Sequence, residues 1–407
     1  MRPYLVAVAL SALGLSSLAC GSDPPGDGSG AGGAGGDGMG GGAGEQPDAG
    51  PPDAGPTPSA GPSGLHAVGN HIEDGDGKTI VLRGVNRSGS EYMCIQNRGI
   101  FDGPADATSV QAIASWKANA VRVPLNEDCW LAINGAPPAF SGATYKAAIR
   151  DYVGVLHAHG IVPILDLHWS APGTLMATRL QPMPDADHAV AFWADVAATF
   201  ASDDGVVFEP YNEPYPSNNQ DTVAAWTCWR DGCTATTAPR NSVPPTYAAV
   251  GMQALVTAIR DAGARNLILL GGVQFSNTLT QWLAYRPVDP MANLGATWHA
   301  YSFNACITQD CWDGAPATVA ASVPLVATEF GERDCQSTFV MPLMQWFDTH
   351  VAGYLAWTWD AYGECVPYVS AAAPGNPYSL LGPASQDYSG APNPGLGQAI
   401  FDHLTAF

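Results

Sequence analysis

From Leu65 to Phe407, short apolar, β-branched runs alternate with stretches whose apolar residues recur at helical spacing. This is the pattern of repeated βα units. Eight runs read as strands: 80–86, 120–125, 161–168, 206–212, 267–273, 295–302, 324–330 and 353–359. Between them, 144–159 sets Tyr145, Ile149, Tyr152, Val153 and Leu156 on one helical stripe and ends at Gly160. Residues 187–200, 246–262, 339–350 and 397–406 read as helices in the same way. Eight strands, mostly followed by helices and with no second linker, predict an α/β fold of one domain, a (β/α)₈ TIM barrel over 65–407. A doubly wound open sheet is the alternative, but it ordinarily uses fewer strands. Residues 65–79, with the Asp-Gly-Asp-Gly turn at 74–77, read as a hairpin closing the barrel bottom. The same turn could begin a calcium loop, but Val85 stands where that loop needs Glu.

The pattern is absent before residue 65. Arg2, an apolar stretch over 4–15 and Ser17-Leu18-Ala19 read as a signal peptide spanning 1–19. Cys20 follows the cleavage point, the arrangement of a lipid-bearing N-terminal cysteine, with ordinary cleavage after Ala19 as the alternative. Residues 21–64 are Gly, Pro, Ala, Ser and Asp with almost no large apolar side chain, so the segment 20–64 reads as a lipid-attachment site and flexible tether. Its reach is about 35–40 Å, enough to hold a domain clear of a membrane.

Composition narrows the partners. With 37 Asp+Glu against 16 Lys+Arg, the chain repels phosphate backbones and anionic lipid. Nucleic acid is therefore not expected, and membrane contact is expected only through the N-terminal lipid. Nine cysteines are an odd number for an exported chain. Setting Cys20 aside leaves Cys94, Cys129, Cys228, Cys233, Cys306, Cys311, Cys335 and Cys365, which can pair completely in an oxidising compartment. Sequence proximity suggests Cys228–Cys233 and Cys306–Cys311, leaving Cys94–Cys129 and Cys335–Cys365. A zinc site on the two C-x₄-C units is the weaker reading in such a compartment. Localisation is expected to be extracytoplasmic, at the cell surface on a lipid or otherwise secreted.

In a barrel of this kind, chemistry sits at the C-terminal strand ends. Here those ends carry Asn86, Arg122, His168, Asn212 with Glu213, His299 with Tyr301, Glu329, and Trp357 with Trp359. Barrel interiors favour Val, Ile and Leu, so polar groups ending successive strands call for a function. Two carboxylates on different strands suit glycoside cleavage: one donates a proton to the leaving oxygen, the other attacks the anomeric carbon.

Seven motifs occur in order at these ends: R-G-V-N at 83–86, V-R-V-P at 121–124, D-L-H at 166–168, Y-N-E-P at 211–214, W-H-A-Y at 298–301, T-E-F-G at 328–331 and A-W-T-W at 356–359. Together they make residues 65–407 resemble glycoside hydrolase family 5, the cellulase-like retaining barrel glycosidases. The resemblance implies Glu213 as general acid/base and Glu329 as nucleophile. It implies Asn212 on the sugar 2-hydroxyl, and Arg122 and Tyr301 orienting Glu329. His168 and His299 would line the same subsite, and Trp357 would form a stacking floor. No metal or organic cofactor is implied. The expected substrate is a neutral β-linked polysaccharide or oligosaccharide, and the expected state a monomer.

Other residues compete for these roles. Glu209 and Glu332 lie near the two candidates but are read as bystanders, and Asn86 as structural. Trp357 and Trp359 share a face if the strand continues through both. Tyr92, Trp130, Trp169, Trp298 and Trp312 could build further subsites or pack in the core. Two other readings stand beside hydrolysis: an inactive glycan-binding barrel, and a transglycosylase. The loops 87–106, 126–143, 215–245 and 303–316 would shape the cleft, two of them braced by the local cysteine pairs.

Overall fold

The structure, a computed structural model, describes residues 61–236, 246–373, 375–384 and 386–407. These fall into a barrel body, 61–369 and 375–407, and a short turn, 370–373, with a bridge between Ser370 and Ala373. The signal peptide, Cys20 and most of the tether lie outside the described residues. Residues 61–64, read as the end of the tether, belong to the folded body. Gly64 N–H donates to Asp204 Oδ1 (2.8 Å), and Ser63 O accepts from Gly75 N–H (2.8 Å).

Eight parallel strands close the barrel: β1 (Arg83–Asn86), β2 (Ala120–Asn126), β3 (Val162–Trp169), β4 (Val207–Glu209), β5 (Ile268–Gly271), β6 (Leu294–Tyr301), β7 (Leu325–Gly331) and β8 (Gly353–Ala356). The helices that follow them in turn are α1 (Ala107–Ser115), α2 (Ala143–Ala158), α3 (Ala189–Phe200), α4 (Met252–Asp261), α5 (Trp282–Tyr285), α6 (Ala315–Ala320), α7 (Val340–Thr349) and α8 (Leu396–Thr405). The (β/α)₈ expectation holds, with α5 reduced to a single turn. Successive side chains on a strand point to opposite faces. Val121, Val123, Leu165, Leu167, Phe208 and Trp298 therefore face the helices, while Ala120, Val162, Ile164, Val207, Leu269, Val326 and Leu355 fill the barrel interior. Leu65, just ahead of a three-stranded sheet of His66–Val68, His71–Glu73 and Thr79–Ile80, joins that interior cluster from below with Ile72 and Ile80 of the sheet. The glycine of R-G-V-N is a packing requirement, because a Cβ on Gly84 would sit 1.8 Å from Ala120 O.

Three expectations change. The strand expected at 206–212 stops at Glu209, because Pro210 has no N–H to donate to a ladder. The helix expected from 246 begins at Met252. Before it, Thr246–Ala249 pairs antiparallel with Cys233–Thr236, and Gly251 packs so tightly that a Cβ would lie 2.3 Å from Arg230 O. The strand expected at 353–359 leaves the ladder after Ala356, so Trp357 and Trp359 do not share a face. Trp359 turns into the core edge-on to Trp116 (4.9 Å, 74°).

All eight remaining cysteines pair as 94–129, 228–233, 306–311 and 335–365. The first ties the loop after β1 to the short helix Glu127–Leu131 after β2. The second joins the helix Val223–Asp231 to the hairpin beside it. Among the described residues no helix is long and apolar enough to cross a membrane.

Candidate active site

The alternation that buries Val162 and Ile164 inside the barrel brings Asp166 and His168 inward one and two steps further up β3. On β2 the same rule carries Ala120 inward, then Arg122. A polar layer thus lies directly above the apolar plug. At its centre Arg122, fully buried, uses all five of its N–H donors. Nε donates to Glu209 Oε2 (2.7 Å), and Nη1 donates to Glu329 Oε1 (2.6 Å) and Asn86 Oδ1 (3.0 Å). Nη2 donates to Asp166 Oδ2 (2.9 Å) and Asn212 Oδ1 (2.7 Å). One guanidinium therefore compensates three buried carboxylates and orients two amides.

Glu329 reaches this layer through a backbone irregularity. Across β6 and β7, Thr297 pairs with Val326 but His299 pairs with Glu329; across β7 and β8, Ala327 pairs with Tyr354 but Phe330 with Ala356. The extra residue is a β-bulge, which re-aims side chains. Both Thr328 and Glu329 consequently face the interior. Thr328 Oγ1 donates to Glu209 Oε1 (3.0 Å), and Glu329 Oε2 accepts from Tyr301 Oη (2.7 Å).

Glu213 follows β4 and is 21% exposed at its side chain, against 5% for Glu329. His299 Nδ1 lies 3.1 Å from Glu213 Oε1 and 3.6 Å from Glu329 Oε2, while Nε2 is 3.2 Å from Thr328 Oγ1. Carboxylate oxygens of Glu213 and Glu329 lie within 4.8 Å of each other, close to the ~5–5.5 Å carboxyl spacing of retaining glycosidases. Burial opposes ionisation of both. For Glu329 the charges of His299 and Arg122, with the Tyr301 hydrogen bond, outweigh burial and hold the pKa below the usual carboxylate value. For Glu213 burial prevails over its His299 hydrogen bond, the Glu329 charge adds to it, and the pKa rises. Burial lowers the His299 pKa, but Glu329, Glu209 and Glu213 overcome it and push it up to about 10.

Glu213, His299 and Glu329 each offer a possible ligand atom to a cation. However, both Glu329 oxygens are already engaged by Arg122 and Tyr301, and the guanidinium charge opposes a second cation there.

The remaining candidates divide. The rings of His168 and Trp357 stack at 5.4 Å (12°), with His168 Nδ1 3.0 Å from Asp166 Oδ2. Asn86 ties β1 to its neighbours, donating to Thr328 O (2.9 Å) and Ala356 O (3.2 Å). Glu332 caps α7, accepting from Phe339 N–H (2.9 Å), Val340 N–H (3.1 Å) and Thr338 Oγ1 (3.0 Å). Trp130, Trp298 and Trp312 are buried on the helix side, whereas half-buried Tyr92 and Trp169 face each other at 6.3 Å. Glu209 is more than a bystander: it sits beneath the two glutamates, anchoring Arg122 and Thr328. Its apolar neighbours Val207 and Phe208 gave no signal of that network, and neither did the spacing of Asp166.

A second feature escaped the sequence. Gln274, Phe275 and Ser276 hold left-handed backbone angles (φ 56°, 59° and 55°), as do Ser217, Asn218 and Asn219 (53°, 58° and 60°). Each such residue costs roughly 1–2 kcal/mol. Hydrogen bonds hold the first turn against Glu213: Phe275 N–H donates to Pro214 O (3.0 Å) and Ser276 Oγ to Asn212 O (2.9 Å). The carbonyls on both sides of Glu213 are thereby fixed.

A closed βα barrel with two carboxylates of opposed pKa shift across its mouth defines a class of glycoside-cleaving enzyme. Residues 74–363 match the family model for cellulase, glycosyl hydrolase family 5, and the chain belongs to that family. It is a glycoside hydrolase. It is 26% identical to a mannan endo-1,4-beta-mannosidase of Streptomyces lividans, over 79% of this chain and 74% of that one. It is 21% identical to a mannan endo-1,4-beta-mannosidase of Salipaludibacillus agaradhaerens, over 73% and 82%. Among solved structures, a beta-glucanase from Saccharophagus degradans in complex with cellotetraose superposes with a TM-score of 0.60 at 17% identity, covering 86% of this chain and 97% of that one. A beta-mannanase from Streptomyces thermolilacinus superposes with a TM-score of 0.54 at 21% identity, over 83% and 94%.

Proposed function

We propose that Glu213 and Glu329 carry a double displacement on a β-1,4-linked mannan backbone. The observation that carries the roles is their opposed electrostatic setting within 4.8 Å. Glu329, kept ionised by Arg122, His299 and Tyr301, attacks the anomeric carbon. Glu213, kept protonated by burial, donates to the departing glycosidic oxygen. The glycosyl–Glu329 ester forms as the C–O bond to the leaving sugar breaks. Glu213, now a carboxylate, takes a proton from water, which attacks the same carbon and releases Glu329 with anomeric configuration retained. Asn212, oriented by Arg122, meets the 2-hydroxyl, and Trp357 supports a sugar face on the His168 side. Mannan is favoured by the two mannosidase relatives, each aligned over more than two thirds of both chains. A β-glucan is the second reading, favoured by the S. degradans structure.

Reducing-end release from mannan, glucan and xylan, with Glu213→Gln and Glu329→Gln beside the wild type, tests this. The expected result is mannan turnover that either substitution lowers by about 10²–10⁴. Wild-type turnover in both variants would sink the role assignment, and strong preference for glucan would replace the substrate.

The four disulfides fit an oxidising compartment. We read the chain as exported, with a lipid on Cys20 and a monomeric barrel on its tether. Labelled fatty acid incorporated into the wild type and lost in Cys20→Ser is the expected outcome; no incorporation would favour plain secretion. Sedimentation of the barrel tests the monomer.

A further inference from the structure

The left-handed turn Gln274–Ser276 grips the backbone on both sides of Glu213 and presents a ring there. Phe275 stacks on Tyr215 at 4.4 Å between centroids and 24° between planes. Both rings are only half-buried, so the stack is not closed inside the core. Gln274 Nε2 donates to Asn219 O (3.0 Å), its Oε1 accepts from Thr278 Oγ1 (2.6 Å), and Ser276 Oγ is committed to Asn212 O. The turn's polar side chains are thus spent within the protein, and what it offers outward is an aromatic face. Backbone held this firmly in a costly conformation fixes the position of that face.

Its place relative to the reacting groups gives it a direction. The group that protonates the bridging oxygen borders the sugar that leaves, and Tyr215 and Phe275 adjoin Glu213 through sequence and hydrogen bonding. The other stack, His168 on Trp357, is tied through Asp166 to Arg122, the residue that holds Glu329. We propose that Phe275, backed by Tyr215, is the platform for the pyranose on the leaving-group side of the scissile bond. The axial C–H face of a pyranose is apolar and packs flat on such a ring. With no free hydrogen-bonding side chain on the turn, this platform recognises the ring face rather than a particular hydroxyl. It accepts the departing sugar in the first step and a sugar acceptor in place of water in the second.

The proposal rests on Glu213 as the acid/base. Phe275→Ala and Phe275→Tyr in the full chain separate the two. Each is assayed on an oligosaccharide that spans the scissile bond and on the disaccharidyl fluoride of the same sugar, whose leaving group is a single atom. For Phe275→Ala, the ratio of kcat/KM on the oligosaccharide to that on the fluoride falls about tenfold, and Phe275→Tyr restores it. Capture of the glycosyl group by an added oligosaccharide falls in parallel. If both substrates lose activity equally, the ring merely braces Glu213, and the proposal is overturned. An unchanged ratio overturns it as well. Failure of the acid/base reading shows elsewhere, as oligosaccharide turnover in Glu213→Gln equal to wild type.

Discussion

Burial alone would raise the pKa of both Glu213 and Glu329; the difference between them comes from which charges stand beside each. Glu329 has Arg122 at 2.6 Å and a protonated His299 at 3.6 Å, whereas Glu213 has the His299 edge at 3.1 Å and faces the Glu329 charge. The active form holds one proton, on Glu213. Activity therefore rises with pH as Glu329 ionises, below the ordinary 4.5 of a glutamate, and falls as Glu213 ionises, above it. On a substrate whose good leaving group needs no acid, Glu213→Gln removes the falling limb of the first step and keeps the rising one; a kcat/KM profile retaining both limbs contradicts the assignment. Arg122→Met has a larger reach. It strands Asp166, Glu209 and Glu329 without their shared cation and destabilises the fold by about 3–5 kcal/mol in denaturant unfolding. These residues were legible in the sequence because each motif lay in or just beyond an apolar strand run. Glu209 was not, because its partners Arg122 and Thr328 lie on other strands and only closure of the barrel brings them together.

The elements were legible wherever hydrophobic period and turn chemistry agreed, as in α2 with its stripe and Gly160 stop. They were misread where a local backbone event intervened: Pro210 ending β4, the hairpin strand ahead of α4, and the chain leaving the ladder after Ala356. The hydrophobic period runs on through all three. The long segment between β3 and α3 shows what such a connection needs. Glu127 and Asp185 are both fully buried, and neither Glu127 Oε1 nor Asp185 Oδ2 meets a hydrogen-bond donor among the described residues, a setting that burial makes hostile to two charges and that favours a proton on the pair. The other Glu127 oxygen accepts Ala171 N–H (3.3 Å), and Asp185 Oδ1 accepts His188 N–H (2.8 Å). Asp128, His188 and Tyr247 are the titratable groups around them. Burial raises the Glu127 pKa well above 4.5, with Asp185 adding to it. A carboxyl with a raised folded pKa contributes fully below its unfolded value, and that contribution is lost as pH rises through the folded pKa. Glu127→Gln places an uncharged amide donor beside Asp185 where the carboxyl proton would stand. It is expected to stabilise the protein at alkaline pH, on the order of 1 kcal/mol, and to change little below pH 4.5. Equal effects across the pH range in thermal melts would show that the pair shares no proton.

At the scale of the whole molecule, an apolar plug, a polar layer and a mouth of loops are stacked along one axis, and strand alternation generates the first two from the same sequence pattern. The net charge of −21 acts at this scale alone. A neutral glycan gains nothing from that field, so kcat/KM on mannan should change by less than about twofold between low and high salt; a steep salt dependence would indicate a charged substrate. The most direct test of the central claim is to locate the covalent intermediate. A 2-deoxy-2-fluoro glycoside with a good leaving group should inactivate the enzyme, and peptide mass mapping should find the sugar on Glu329, with none on that peptide in Glu329→Gln. A label on Glu213 or Glu209, or inactivation without any glycosylated carboxylate, would contradict the account.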